Sequence, residues 1–249
     1  MIRAALRLSV YLLFTLACMP FQAVFVAFGS RRMASFPVWY HGWCLWVLGI
    51  RVVVDGSKTA QAPCLFVSNH SSYLDIPVLG SLIPGCFVAK AEVAGWPLFG
   101  WLAKLQRTLF IDRRVSKVGD GQSALAKRLQ EKDNLVLFPE GTSSDGVRVL
   151  PFRRALFQTI LEEANGKGLV VQPVTISCVA INGLPADRAA QQLYAWFGDM
   201  DLAPHLWAFA HLKSCTVRVV FHPVQDVKQM ADRKVLAAEM EKLVATGLR

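Results

Sequence analysis

The chain has 249 residues, of which 53% are hydrophobic and only 18% charged, with a formal net charge of +9. That length holds one large domain, or a domain with an appendage. An apolar, basic chain points to an anionic membrane surface or an anionic substrate. Charge alone does not exclude nucleic acid, but no Lys/Arg-rich block, zinc-finger or RRM-like pattern occurs, so no nucleic-acid partner is expected. Cys18, Cys44, Cys64, Cys86, Cys178 and Cys215 form no CxxC pair. They read as small buried hydrophobes in a reducing compartment. No HExxH or zinc-type spacing is present, so no metal is expected.

At the amino end, residues 8–29 carry no charge, and Gln22 is their most polar side chain. As a helix this segment would reach roughly 33 Å, about the thickness of a hydrocarbon core. Arg3 and Arg7 precede it and Arg31 and Arg32 follow it, so charge does not orient it. Pro20 should kink or break the helix, which leaves a full span and a re-entrant segment both open. A second run, 38–50, holds three of the seven tryptophans and reads as an interfacial helix. A cleaved leader would want a small-x-small site, which is not evident. Residues 1–50 therefore form an expected membrane anchor.

From residue 51 onward strands and helices alternate. Strands are expected at 51–56, 64–70, 86–90, 108–112, 134–139, 169–177 and 215–222. Helices or turns are expected at 76–82, 96–105 (with Pro97 in the first turn), 123–132, 152–164 and 232–246. In the last of these Leu236, Met240, Leu243 and Val244 share one face. A tryptophan-containing helix lies between His205 and His211. The alternation predicts an α/β domain over 51–249 with a largely central sheet.

Three stretches in this domain carry candidate chemistry. In "FVSNHSSYLDIPVLG" (66–80) an apolar strand ends on His70, and Asp75 follows five positions on. With His70 at the strand end and Asp75 in the first helical turn, the carboxylate can hold one ring nitrogen and leave the other as a base. A pair that merely staples the loop is the plain alternative. In "RTLFIDRR" (107–114), Arg113 and Arg114 close a strand. Arginine suits phosphate or carboxylate, and a solvated charge pair is the alternative. In "LFPEGTSSDG" (137–146), Pro139, Gly141 and Gly146 force turns. Glu140 and Asp145 are expected to be exposed at a strand end, where α/β sheets bind ligands; a polar surface turn is the alternative. Arg148, Arg153 and Arg154 lie nearby in sequence. "GDGQSA" (119–124) matches a dinucleotide fingerprint literally, but no strand feeds its first glycine. GxSxG is absent.

Together these stretches resemble the PlsC-like glycerolipid acyltransferase family. The family's NHx₄D block is matched by Asn69-His70 through Asp75, and its arginine-ended block by "LFIDR" (109–113). Its FPEGT block stands intact at 138–142, and its proline-centred apolar block is matched by "VVQPVTI" (170–176). All four occur in family order. The resemblance implies an α/β acyltransferase domain with a central mixed sheet flanked by helices, behind an N-terminal membrane-anchoring helical segment. It implies acyl transfer from acyl carrier protein (acyl-ACP) or acyl-CoA, as co-substrate with no bound cofactor, to a lysolipid hydroxyl. His70 would be the general base and Asp75 its orienting partner. Arg113 and the Glu140-Gly141-Thr142 turn would hold the acceptor head group. The enzyme would sit at the inner (cytoplasmic) membrane with its catalytic domain facing the cytoplasm.

One position departs from many lysophosphatidate acyltransferases, which have arginine directly after EGT; here it is Ser143. "EGTSSDGVRVLPF" (140–152) and "YAWFGDMDLAPHLW" (194–207) instead are similar to the lyso-ornithine-lipid O-acyltransferase branch. Its acceptor is the hydroxyl of a 3-hydroxyacyl chain amide-linked to ornithine, whose carboxylate Arg113 or Arg148 could pair. Phosphatidate synthesis from lysophosphatidate is the alternative activity. A membrane lipid-binding protein without activity is the alternative class.

Overall fold

The computed structural model describes residues 1–111, 127–155, 157, 169–226 and 233–248. The chain opens with two helices, α1 (Ile2–Ala27) and α2 (Arg32–Leu48). The domain then runs β1 (Ile50–Gly56), β2 (Cys64–Ser68), α3 (Asp75–Gly80), β3 (Cys86–Lys90), α4 (Phe99–Leu105) and β4 (Leu109–Ile111). β5 (Leu135–Leu137), β6 (Val170–Ile181), β7 (Leu184–Pro185), α5 (Arg188–Gln191) and α6 (Leu202–Ala210) follow. β8 (Cys215–Phe221), β9 (Gln225–Asp226) and α7 (Arg233–Thr246) complete it.

The strands form one mixed sheet in the order β1-β8-β6-β2-β5-β3-β4, with β7 and β9 antiparallel on β6. β6, β2, β5, β3 and β4 are mutually parallel, whereas β8 runs against β6 and carries β1 parallel to itself. The sequence explains the division. β2 is an unbroken apolar run that ends on Ser68, and it is buried along its whole length, as a strand with helices on both faces must be. β8 alternates, with Cys215, Val217, Val219 and Phe221 turned inward. Period-two geometry sends Phe66 of β2 into one core and Leu65 and Val67 into the other. Each such fully buried side chain is worth ~1.5–3 kcal/mol. The first core also holds Leu48, Leu79 and Tyr194; the second holds Phe157, Leu236 and Met240. The stripe of α7 expected at Leu236, Met240, Leu243 and Val244 is thus in place, with Leu243 partly buried against the same core.

The described structure adjusts several boundaries. A 3₁₀ turn at Ala91–Gly95 precedes α4, and Leu98 takes φ +58°. Pro97 therefore lies ahead of the helix and not in its first turn. β6 continues four residues beyond the expected end, to Ile181, through a bulge between Cys178 and Ala180. Of the helix expected at 123–132, residues 127–130 are helical and 123–126 lie outside the described residues, as do most of 152–164 and the whole "GDGQSA" stretch. All six cysteines are free and buried.

Pro20 does not end α1, which runs on to Ala27. This helix is long and apolar enough to cross a bilayer. Leu13, Leu16, Phe21 and Val24 lie on its exposed surface, unlike a core helix, and mark it as membrane-associating. Two of its polar groups, Gln22 and Arg7, reach the domain. Gln22 Nε2 donates to the carbonyls of Met33 (3.0 Å) and Leu105 (2.9 Å). The Arg7 guanidinium donates to the Leu212 and Lys213 carbonyls just beyond α6, where a cation meets the negative end of that helix. α2 ends on Gly49, at φ +73°, whose N–H caps the last turn. Its outer face presents Trp39, Trp43 and Trp46, the last 72% exposed. Its inner face sets His41 against Gly80 of α3, where a Cβ would lie 2.4 Å from the imidazole.

Candidate active site

The site begins where β2 runs out. Beyond Ser68, Asn69 continues the ladder with its side chain. Its Nδ2 donates to the Ile176 carbonyl and its Oδ1 accepts from the Ile176 N–H, both at 2.9 Å. One N–H and the oxygen of this buried amide satisfy both backbone groups of Ile176 in β6. The main chain is thereby released into the turn that carries His70.

Asp75 opens α3, with its side chain fully buried. Its carboxylate folds back over the turn. Oδ2 accepts from the N–H groups of Ser71 (2.7 Å) and Ser72 (2.9 Å) and from His70 Nδ1 (2.9 Å). Oδ1 accepts from the Tyr194 hydroxyl at 2.7 Å. Because a carboxylate only accepts, the proton of the neutral imidazole sits on Nδ1 and Nε2 keeps its lone pair. The ring lies on Phe138, with centroids 4.1 Å apart and planes 19° apart, and is 21% exposed. Thus the expected meeting of His70 and Asp75 is present, with the imidazole held from behind by a carboxylate and from beneath by a ring.

Phe138 begins the second loop, which leaves the parallel neighbour strand β5. The two loops therefore emerge side by side at the carboxyl ends of adjacent parallel strands, where ligand sites form in such sheets. Glu140 departs from expectation: it is 2% exposed and points inward. Its Oε1 accepts from the His70 N–H at 3.0 Å, and its Oε2 is buried without a hydrogen-bond partner among the described residues. Burial pushes this carboxyl up to about 8, with the Asp75 and Glu241 charges adding and the His70 and Leu150 amides opposing. Desolvation dominates because the loop closes over the side chain. The Ser144 N–H donates to the His70 carbonyl at 2.8 Å, and Arg153 Nε donates to the Glu140 carbonyl at 3.1 Å. Gly141 and Gly146 take φ +67° and +77°, conformations that glycine adopts without strain. Thr142 and Arg148 are exposed on this loop, and Asp145 is half-buried. Arg113 and Arg114 lie outside the described residues.

A third segment had no assigned part in the sequence-based site. Residues 194–196 cross the turn that bears His70: Tyr194 reaches Asp75, and the Trp196 N–H donates to the Ser71 carbonyl at 2.8 Å. The signal available in the sequence was the conspicuous "YAWFGDMD" run, which carried no indication of its target. The remaining histidines sit elsewhere. His41 pairs with Gln106, His205 with the Tyr73 hydroxyl and His222 with Thr175, while His211 lies edge-on to Trp207. No His/Cys/Asp/Glu group among the described residues is placed to hold a metal ion.

Comparison with known proteins identifies the family. A model of the acyltransferase family matches residues 30–177. The lyso-ornithine lipid O-acyltransferase of Brucella abortus (strain 2308) is 38% identical over 252 residues, covering 100% of this chain and 94% of that protein. The lyso-ornithine lipid O-acyltransferase of Rhizobium meliloti (strain 1021) is 34% identical, covering 100% and 85%. The 1-acyl-sn-glycerol-3-phosphate acyltransferase of Neisseria meningitidis serogroup B is 32% identical over 181 residues, covering 72% and 67%. The crystal structure of the 1-acyl-sn-glycerophosphate acyltransferase PlsC from Thermotoga maritima shares the fold, with a TM-score of 0.70 at 21% identity over 99% of this chain and 95% of that one. With the family matched over more than half its length and two full-length relatives above 30% identity, the chain belongs to the acyltransferase family.

Proposed function

We propose that this acyltransferase moves a fatty acyl group from a thioester of acyl carrier protein, or of CoA, to the hydroxyl of lyso-ornithine lipid, forming ornithine lipid. The observation that carries the reading is the His70 imidazole, fixed by Asp75 through Nδ1 with the Nε2 lone pair left for substrate. Nε2 takes the acceptor's hydroxyl proton as that oxygen attacks the thioester carbonyl. The tetrahedral intermediate then collapses, the C–S bond breaks, and the leaving thiolate takes the proton back from Nε2. Asp75 holds the transient imidazolium. General-base assistance of this kind supplies ~10²–10⁴ in rate. The thioester is already activated, so neither an acyl-enzyme nor a bound cofactor is invoked.

Gly141, Thr142, Arg113 and Arg148 are assigned to the acceptor head group. Glu140 contributes from beneath, through the His70 amide. Ser143, in place of an arginine, supports an acceptor bearing a carboxylate over one bearing a phosphate monoester. The full-length identity to proteins named lyso-ornithine lipid O-acyltransferase supports the same choice. Thioester donors are made in the cytoplasm, which favours the inner membrane with the catalytic face toward that side. The shorter match to a 1-acyl-sn-glycerol-3-phosphate acyltransferase keeps lysophosphatidate as the second acceptor. Family membership and the complete dyad speak against a purely lipid-binding role.

The test is a parallel assay in detergent micelles with labelled acyl-ACP and each acceptor, with His70→Ala as control. Transfer to lyso-ornithine lipid, lost in the variant, is expected. Transfer confined to lysophosphatidate would overturn the acceptor assignment, and undiminished transfer by His70→Ala would overturn the mechanism.

A further inference from the structure

We infer that Tyr194 is a positioning residue for acyl transfer: its hydroxyl, delivered from a segment beyond the family-matched region, fixes the rotation of the Asp75 carboxylate and through it the His70 base. The inference rests on the reading of His70 and Asp75 given above. It concerns a residue outside the four sequence blocks that define the site.

Asp75 is fully buried, and its one cationic partner among the described residues is His70, when protonated. A buried carboxylate in that position is held by hydrogen-bond donors or it takes up a proton. Three donors come from its own turn, and all three fall on Oδ2. Oδ1 depends on the Tyr194 hydroxyl, 119 residues away in sequence and 2.7 Å away in space. With both oxygens engaged, rotating the carboxylate plane about its Cβ–Cγ bond would break hydrogen bonds at each. That fixed plane aims Oδ2 at Nδ1, and Oδ2 in turn holds the imidazole on Phe138.

Tyr194 suits the task. Its ring is almost wholly buried and packs against Phe209, with centroids 6.4 Å apart. Burial and the Asp75 charge push the phenol well above its ordinary value of 10.0, so it remains a donor at every working pH. Two residues on, the Trp196 N–H holds the Ser71 carbonyl. The strap therefore fastens the catalytic turn twice, once through the main chain and once through Asp75. Only the second fastening bears on the dyad's aim.

The experiment compares Tyr194→Phe with wild type, His70→Ala and Phe209→Leu, using full-length protein in detergent with acyl-ACP and lyso-ornithine lipid. Tyr194→Phe keeps the ring and removes the donor. A hydrogen bond to a charged group corresponds to a factor of ~10–100. We expect kcat to fall by that factor, with KM for both substrates within about twofold. Phe209→Leu disturbs the same packing without touching Asp75. It should lower the melting temperature at least as much as Tyr194→Phe and leave kcat within about twofold. Tyr194→Phe activity equal to wild type, with His70→Ala inactive, overturns the inference alone. Loss of the melting transition in Tyr194→Phe, or equal kcat losses in both packing variants, assigns Tyr194 to the fold and also overturns it. Full activity of His70→Ala overturns the underlying mechanism instead.

Discussion

Glu140→Gln offers the sharpest test of how the loop beneath His70 is built. The wild-type carboxyl is 2% exposed and is displaced by burial from 4.5 to about 8. In the unfolded chain it loses its proton near 4.5, while the folded protein keeps that proton until about 8. Between those values the folded state binds one proton more, so stability falls as pH rises through the window and levels off above it. At about 1.4 kcal/mol per pH step, the full window is worth on the order of 5 kcal/mol. For a chain of this size that is roughly 10–20 °C of melting temperature. Gln retains an acceptor for the His70 N–H and cannot ionise, so the variant lacks this slope. Thermal melts in detergent at pH 5, 6, 7 and 8 should converge near pH 5 and diverge toward pH 8, with Glu140→Gln the more stable at the alkaline end. His205 and His222, both lowered by burial, slope the other way below neutrality. They are common to both proteins and cancel in the difference. Parallel wild-type and variant curves across pH 5–8 would refute the assignment of a buried, proton-holding Glu140.

Other expectations follow from single contacts. Asn69→Ala strands the Ile176 N–H and carbonyl, both now paired to the amide. It should cost ~2–4 kcal/mol, seen as a drop of roughly 5–10 °C in melting temperature; a change within about 1 °C would remove Asn69 from the ladder. Gly80→Ala places a methyl 2.4 Å from the His41 ring, and α2 must give way at a cost of ~1–3 kcal/mol, read from a denaturant titration. An unchanged midpoint would show that α2 does not press on α3. Replacing Trp39, Trp43 and Trp46 together by Gln removes the exposed indoles of α2. At ~1 kcal/mol for partial burial of each, vesicle co-sedimentation should weaken about a hundredfold. Undiminished sedimentation would place the membrane face elsewhere.

Local pattern carried much of this molecule. The strand that ends on His70 and the helix that opens on Asp75 both announce themselves, and five residues are too few to leave the partner in doubt once the turn is seen. β8 betrays itself by alternation and α7 by its apolar stripe. What local pattern could not carry was direction. Nothing in "LFPEGTSSDG" says that Glu140 turns under its own loop, because a turn flanked by glycines permits either face. Tyr194 was equally hidden: a contact across 119 residues exists only after β6, β8 and α6 have packed. Arg7 and Gln22 misled in the opposite sense. In a hydropathy reading they are a flank and a blemish on an apolar segment, whereas in the fold they are its points of attachment.

That attachment has a consequence for how the enzyme meets its substrates. A catalytic domain on a flexible leash samples many heights and tilts above the lipid surface. Here Arg7 clasps the chain after α6, Gln22 clasps the end of α4, and His41 abuts the helix that bears Asp75. These contacts tie the membrane-associating helix to the elements that carry His70 and Asp75, so on the proposed mechanism the bilayer would set the elevation of His70. Acyl transfer would then be confined to a thin lamina at that elevation. The rate should follow the mole fraction of acceptor in the surface, so diluting the acceptor with inert lipid at constant bulk concentration should slow turnover, and adding more vesicles of the same composition should not quicken it per bound enzyme. Excising the first fifty residues would lay bare the faces that clasp them, so the excised domain would be a wounded enzyme and not a soluble one.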